Sequence, residues 1–161
     1  MDNRLRRFIL MPLRVKDAMV KQVITVDEEA TVKEAAEIMN KFEIGCLIVS
    51  KNGKATGILT ERDLLKKIVS RGKSPARTKV SSIMTTPLIV VEPEMDLEEA
   101  AKLMFKLKIK KLPVIDRGQL KGLVTLSDLL RFQPHLIRLI KDLSKQLAPK
   151  RMKKVVNYYV V

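Results

Sequence analysis

Two threonine–aspartate pairs carry the clearest chemistry in this chain. Gly57-x-x-Thr60-x-x-Asp63 and Gly122-x-x-Thr125-x-x-Asp128 each place a hydroxyl and a carboxylate three residues apart, just ahead of an apolar Leu-Leu pair. A carboxylate accepts both hydroxyls of a diol, and a threonine hydroxyl with the free N–H groups of a helix's first turn accommodates phosphate oxygens. The same spacing is that of a capping arrangement, in which both side chains serve the helix alone. The two uses are compatible. Little else in the chain offers catalysis: Cys46 and His135 are the sole residues of their kinds, and neither has a partner at motif spacing for a Ser-His-Asp, Cys-His or metal constellation. No catalytic activity and no catalytic cofactor are expected.

The elements that position these pairs are duplicated 65 residues apart. Val15-Lys16-Asp17-Ala18-Met19 returns as Val80-Ser81-Ser82-Ile83-Met84, and Glu34-Ala35-Ala36-Glu37-Ile38-Met39 as Glu99-Ala100-Ala101-Lys102-Leu103-Met104. Within each copy the hydrophobic period switches in the same order. Val23–Val26 and Leu88–Val91 read as short strands. Val32, Ala35, Ala36 and Met39, matched by Leu97, Ala100, Ala101 and Met104, give a helix whose first residue follows Thr31 or Asp96. A hairpin then turns through Asn52-Gly53 or Arg117-Gly118, and Thr60 or Thr125 caps a second helix. The unit is β-α-β-β-α after a short opening turn. Two such units packed on one another form a mixed α/β (α+β) fold, because a single unit has an unpaired apolar face. Any site at their seam should also come in two copies.

At 161 residues the chain suffices for one domain of ordinary size. One cysteine excludes an intrachain disulfide, and no run approaches the roughly 20 apolar residues of a membrane span. A cytoplasmic protein is expected. The net charge of +14 is unevenly spread. Residues 1–14 carry +3, 73–79 carry +3 and 133–161 carry +6, whereas 15–72 and 80–132 carry only +1 each. This divides the chain into a basic arm, a first repeat, a linker, a second repeat and a basic tail, the last with Leu136, Ile140, Leu143 and Leu147 on one face of an amphipathic helix.

The repeats resemble tandem CBS (cystathionine β-synthase-type) domains, the Bateman module, over about residues 15–132. The resemblance rests on Lys16-Asp17-Ala18-Met19, on Lys111-Leu112-Pro113-Val114-Ile115-Asp116, and on the two Gly-x-x-Thr-x-x-Asp motifs in identical register. It implies two repeats related by a pseudo-twofold axis and forming a stand-alone regulatory module for adenosine-containing ligands, AMP, ADP, ATP or S-adenosylmethionine, held in two clefts at the seam. In the first cleft Thr60 and Asp63 would hold ribose and phosphate, with the base against Val90, Val91, Ile109 and Pro113. In the mirror cleft Thr125 and Asp128 would face Thr25, Val26, Ile44 and Cys46. Lys110 and Lys111, read as a helix end, and Lys66 and Arg131, three positions beyond the aspartates, are candidate phosphate contacts. The lysines make the Asp63 cleft the more basic. On the Asp128 side Ile48 stands where the family has proline.

The resemblance further implies a homodimer joined through helices, signalling to an unknown regulated protein. A second reading gives the basic tail to nucleic acid, with Tyr158 and Tyr159 available for stacking and the paired repeats as a switch.

Overall fold

The structure, a computed structural model, describes residues 13–132 and 141–142. The elements in chain order are α1 (Val15–Ala18), β1 (Thr25–Asp27), α2 (Val32–Lys41), β2 (Cys46–Lys51), β3 (Lys54–Thr60) and α3 (Glu61–Lys67), then α4 (Leu97–Leu107), β4 (Lys111–Asp116), β5 (Gln119–Thr125) and α5 (Leu126–Phe132). One sheet has the order β1-β2-β3, with β1 parallel to β2 and β2 antiparallel to β3; the other is the hairpin β4-β5. No helix among the described residues is long and apolar enough to cross a membrane.

Local chemistry accounts for most element boundaries. Both hairpin turns have two successive positive φ angles, 49° and 74° at Asn52-Gly53 and 48° and 76° at Arg117-Gly118. That geometry matches the strand twist and favours asparagine and glycine. Thr31 caps α2 in a reciprocal box with Glu34, and the Asp96 side chain accepts from Glu98 N–H to cap α4. The two hairpins even carry their irregularity at equivalent places, Val49/Ser50 and Val114/Ile115.

The copies differ in their first strand. In the first repeat β1 forms, and Ile48 N–H donates to Ile24 O at 3.3 Å. In the second, the expected strand at Leu88–Val91 shrinks to a single bridge between Val91 and Val114. The residue equivalent to Ile48 is Pro113, whose nitrogen carries no hydrogen and cannot make the corresponding bond to Ile89 O. Only the flanking bonds survive, from Val91 N–H to Pro113 O and from Ile115 N–H to Val91 O. Ile89 and Val90 are exposed.

Each repeat has its own core, and each core is completed by the other repeat's opening turn. The first contains Val26, Val32, Ala35, Met39, Leu47 and Leu59 together with Val80 and Ile83. The second contains Leu97, Ala100, Ala101, Met104 and Leu112 together with Val15 and Ala18. Backbone bonds seal the exchange: Val15 N–H donates to Met95 O, Val80 N–H to Ala30 O, and Val20 and Thr85 bridge the far hairpins at Leu123 and Ile58. The turn at Val15–Met19, expected to open the first repeat, therefore belongs to the fold of the second.

The exchange explains the glycine of each Gly-x-x-Thr-x-x-Asp motif. A Cβ on Gly122 would stand 2.7 Å from Met19 Sδ and 2.9 Å from Val20 O, and one on Gly57 would stand 2.6 Å from Met84 Sδ and 3.1 Å from Thr85 O. The methionine ends can give; the carbonyls, pinned in the bridges, cannot. Gly122→Ala should destabilise by about 1–3 kcal/mol, more than Gly57→Ala, in paired urea unfolding curves.

Candidate functional site

Both threonine–aspartate pairs form closed capping boxes. Thr60 N–H and Oγ1–H donate to Asp63 Oδ2 at 3.0 and 2.7 Å, while Asp63 N–H donates to Thr60 Oγ1 at 3.3 Å. In the second copy the same three bonds measure 2.9, 2.7 and 3.3 Å between Thr125 and Asp128. Each box consumes one carboxylate oxygen and fixes the other's direction. What differs is that other oxygen.

Asp63 Oδ1 accepts from Lys67 Nζ at 2.8 Å and from Thr85 Oγ1 at 3.4 Å. Lys67 Nζ also donates to Ile83 O at 2.6 Å, which ties α3 to the exchanged turn. Burial works to raise the Asp63 pKa, but the hydrogen bonds from Lys67 and Thr60 outweigh it and hold the carboxyl below its ordinary value. In the second copy the positions of Lys67 and Thr85 are taken by Phe132 and Val20. Neither side chain can donate, and Asp128 Oδ1 has no partner among the described residues. Val20 and Phe132, which hold those equivalent positions, are 50% and 45% exposed, so both offer accessible apolar surface. Lys67 is not among the residues expected from the sequence, although its i,i+4 spacing of opposite charge from Asp63 identifies it.

The seam lies on the sheet faces turned away from the cores. Leu47 and Val49 of β2 point into the first core, yet Cys46 and Ile48, which alternate with them, are also buried and belong to neither core. Strand alternation turns them to the opposite face, where the second repeat covers them. The counterpart of Cys46 is Lys111, and the two meet: burial pushes the Cys46 thiol pKa up, with the Lys111 ammonium beside it acting in the other direction. A Cβ on Gly45 would stand 2.8 Å from Glu61 Oε2 and 3.3 Å from Lys111 Nζ, so Gly45 leaves room for both charges. Lys111 is not at a helix end as expected. Helix α4 stops at Leu107 with Lys108 in left-handed conformation, and Lys111 opens β4 opposite Thr125.

The remaining candidates are scattered by burial. Val26 and Val91 lie in the two cores, with Ile44 and Ile109 packed at their edges. Thr25 and Val90 face outward, Pro113 is buried, and Lys66, Lys110 and Arg131 are exposed. A groove of about 500 Å³ between β1 and α2 takes in Thr25, Val26, Asp27, Glu34, Glu37 and Lys41. Neither Thr125 nor Asp128 lines it, and three carboxylates against one ammonium make it a poor place for phosphate. The basic tail lies outside the described residues apart from Lys141 and Asp142, and so does the arm apart from Leu13 and Arg14, whose guanidinium donates to Glu94 O at 2.6 Å. Lys79 of the linker is paired with Glu29.

The comparisons with known proteins agree with this architecture. The family model of the CBS domain matches twice, at residues 15–70 and 80–135. The CBS domain-containing protein YhcV of Bacillus subtilis (strain 168) is 39% identical over 115 residues, 71% of this chain and 81% of that protein. Inosine-5'-monophosphate dehydrogenase of Methanocaldococcus jannaschii is 33% identical over 120 residues, but these are 73% of this chain and only 23% of the enzyme. Among solved structures, a hexameric CBS-CP12 protein from bloom-forming cyanobacteria shares 30% identity at a TM-score of 0.72, covering 85% of this chain and 84% of that one. The CBS domain pair of protein MJ0100, solved with 5-methylthioadenosine and S-adenosyl-L-methionine, shares 29% identity at a TM-score of 0.70, covering 78% and 98%. Two matches in register, on two copies of one unit whose opening turns are exchanged, have one meaning: the chain belongs to the CBS-domain family and is a tandem CBS pair.

Proposed function

We propose that this CBS pair is a non-catalytic regulatory module that binds an adenosine-containing ligand beside Asp128 and signals to a partner protein. The observation that carries the reading is Asp128 Oδ1, held in direction by the Thr125 box and without a partner among the described residues, with exposed Val20 and Phe132 at the positions that Thr85 and Lys67 hold around Asp63. A fixed acceptor together with accessible apolar surface suits a ribose hydroxyl and a purine face. The MJ0100 pair, a neighbour in fold, is described with ligands of this class. Binding at a seam biases the placement of the repeats to the extent that the ligand prefers one placement, which is how a binding event becomes a signal.

A thermal-shift series with S-adenosylmethionine, methylthioadenosine, AMP, ADP and ATP tests this. A ligand at a hundred times its Kd adds about 2.7 kcal/mol, a shift of several degrees for a chain of this size. The reading fails if none of the five raises the melting temperature at millimolar concentration.

Self-association belongs to the same proposal. Leu65 of α3 and Val69 of the following 3-10 turn, one helical turn apart, are 61% and 68% exposed, and such a pair on a monomer's surface suits a partner helix. We expect a homodimer in the cytoplasm, and Leu65→Lys with Val69→Lys should shift it to monomer in analytical ultracentrifugation. An unchanged sedimentation coefficient would place the interface elsewhere.

A further inference from the structure

We infer that Lys67 is a built-in occupant of the first cleft, so that this chain offers one ligand-binding carboxylate, Asp128, while Asp63 fastens the exchanged turn to the first repeat. The inference rests on the adenosine reading above and says which of two duplicated sites is open. Its basis is a contrast between equivalent atoms. Both boxes leave one carboxylate oxygen outside the cap. At Asp63 that oxygen already has two donors, an ammonium and a hydroxyl; at Asp128 both positions have become apolar, Phe132 and Val20.

Two substitutions in the same direction, around the same oxygen, separate the clefts. A ribose approaching Asp63 must displace the Lys67 ammonium from a buried carboxylate. The lysine would then keep only Ile83 O. It would also loosen the Ile83–Thr85 stretch, whose backbone pairs with β3 through Ile58. Ligand binding at Asp63 therefore competes with two contacts that hold the fold, those of Lys67 and Thr85, and binding at Asp128 competes with none among the described residues. The ammonium has a second consequence: it neutralises Asp63, so that a neutral diol gains less from the carboxylate than it would from an unpaired one.

The test is the number of ligands bound per chain. Full-length protein is titrated with S-adenosylmethionine and with ATP by isothermal calorimetry. The wild type should take up one equivalent, and Asp128→Ala should weaken that event at least tenfold. Lys67→Met keeps the aliphatic stem, removes the ammonium and should raise the stoichiometry from one to two. Lys67→Arg retains the pairing and should stay at one. Circular dichroism melts verify that each variant remains folded under the titration conditions. Two equivalents of similar affinity in the wild type, or a folded Lys67→Met that still binds one, would overturn the inference and leave the adenosine reading standing. No uptake of either ligand by wild type and Lys67→Met alike would overturn both.

Discussion

Alanine at Asp63 should cost this protein stability and little affinity, and alanine at Asp128 the reverse. The two aspartates are equivalent in sequence, so the opposition comes entirely from their surroundings. Asp63 is buried, caps α3, and holds Lys67 and Thr85 on its second oxygen. Removing it takes away the carboxylate half of the Thr60 capping box, with its favourable place at the helix N-terminus, about 1 kcal/mol, and a charged hydrogen bond worth about 1.5–3 kcal/mol. Lys67 is one-third exposed and can turn to water, which keeps the total near 2–3 kcal/mol rather than the larger loss of a fully buried pair. Asp128→Ala loses only the carboxylate half of the Thr125 box, about 1 kcal/mol, but it removes the open acceptor, which should lower adenosine-ligand affinity by roughly one to two decades. Urea unfolding and calorimetric titration on the same four proteins, wild type, each single variant and the double, read out both axes. Equal stability losses at the two positions would refute the opposition.

The pH dependence of the stability difference follows from the sign of the Asp63 shift. Its folded-state pKa lies below its ordinary value because Lys67 and Thr60 outweigh burial. The carboxylate's contribution is therefore complete above the unfolded pKa of about 3.9 and is lost as pH falls through the lower, folded value. Wild type and Asp63→Ala should be separated by a constant margin from pH 5 to 8, and the margin should close only under strongly acidic conditions. A margin already halved at pH 5 would mean that the Lys67 pair is open in solution.

Features with a local cause were legible in the residues. Asn52-Gly53 and Arg117-Gly118 make the turns expected of them, Thr31 and Asp96 cap their helices, and the alanine-rich helix faces are buried largely as the spacing requires. Alternation in β1 could have been pressed further: Thr25 and Val26 are neighbours in a strand, so they cannot both face one cleft, and Val26 goes to the core. The loss of the second repeat's first strand was also written in Pro113, but only for a reader who knew that β1 runs parallel to β2 and needs the Ile48 N–H. The partner of each opening turn was not legible at all. A 65-residue repeat shows that Val15–Met19 and Val80–Met84 are equivalent, and that equivalence is satisfied whether each turn packs on its own repeat or on the other.

That ambiguity makes Val15 and Val80 the most decisive positions in the chain. Both side chains are fully buried, Val15 in the second core and Val80 in the first. Valine to alanine at either removes two methyl groups from a packed site and should cost about 2 kcal/mol. An aspartate there would bury an unpaired carboxylate, a penalty of several kcal/mol that approaches the whole stability of a domain this size. The location of the damage is the sharper result. Native-state hydrogen exchange on Val15→Ala should show protection falling first in β4 and β5, more than 90 residues away in sequence, and on Val80→Ala in β2 and β3. Val15→Asp should leave β4 and β5 unprotected outright, and with them the Thr125–Asp128 box, so ligand binding should vanish. If Val15→Ala instead exposes β2 and β3 first, the opening turn packs on its own repeat and the exchange is wrong. If protection drops uniformly, the two cores unfold as one cooperative unit, and the seam at Cys46, Ile48, Lys111 and Pro113 is what couples them.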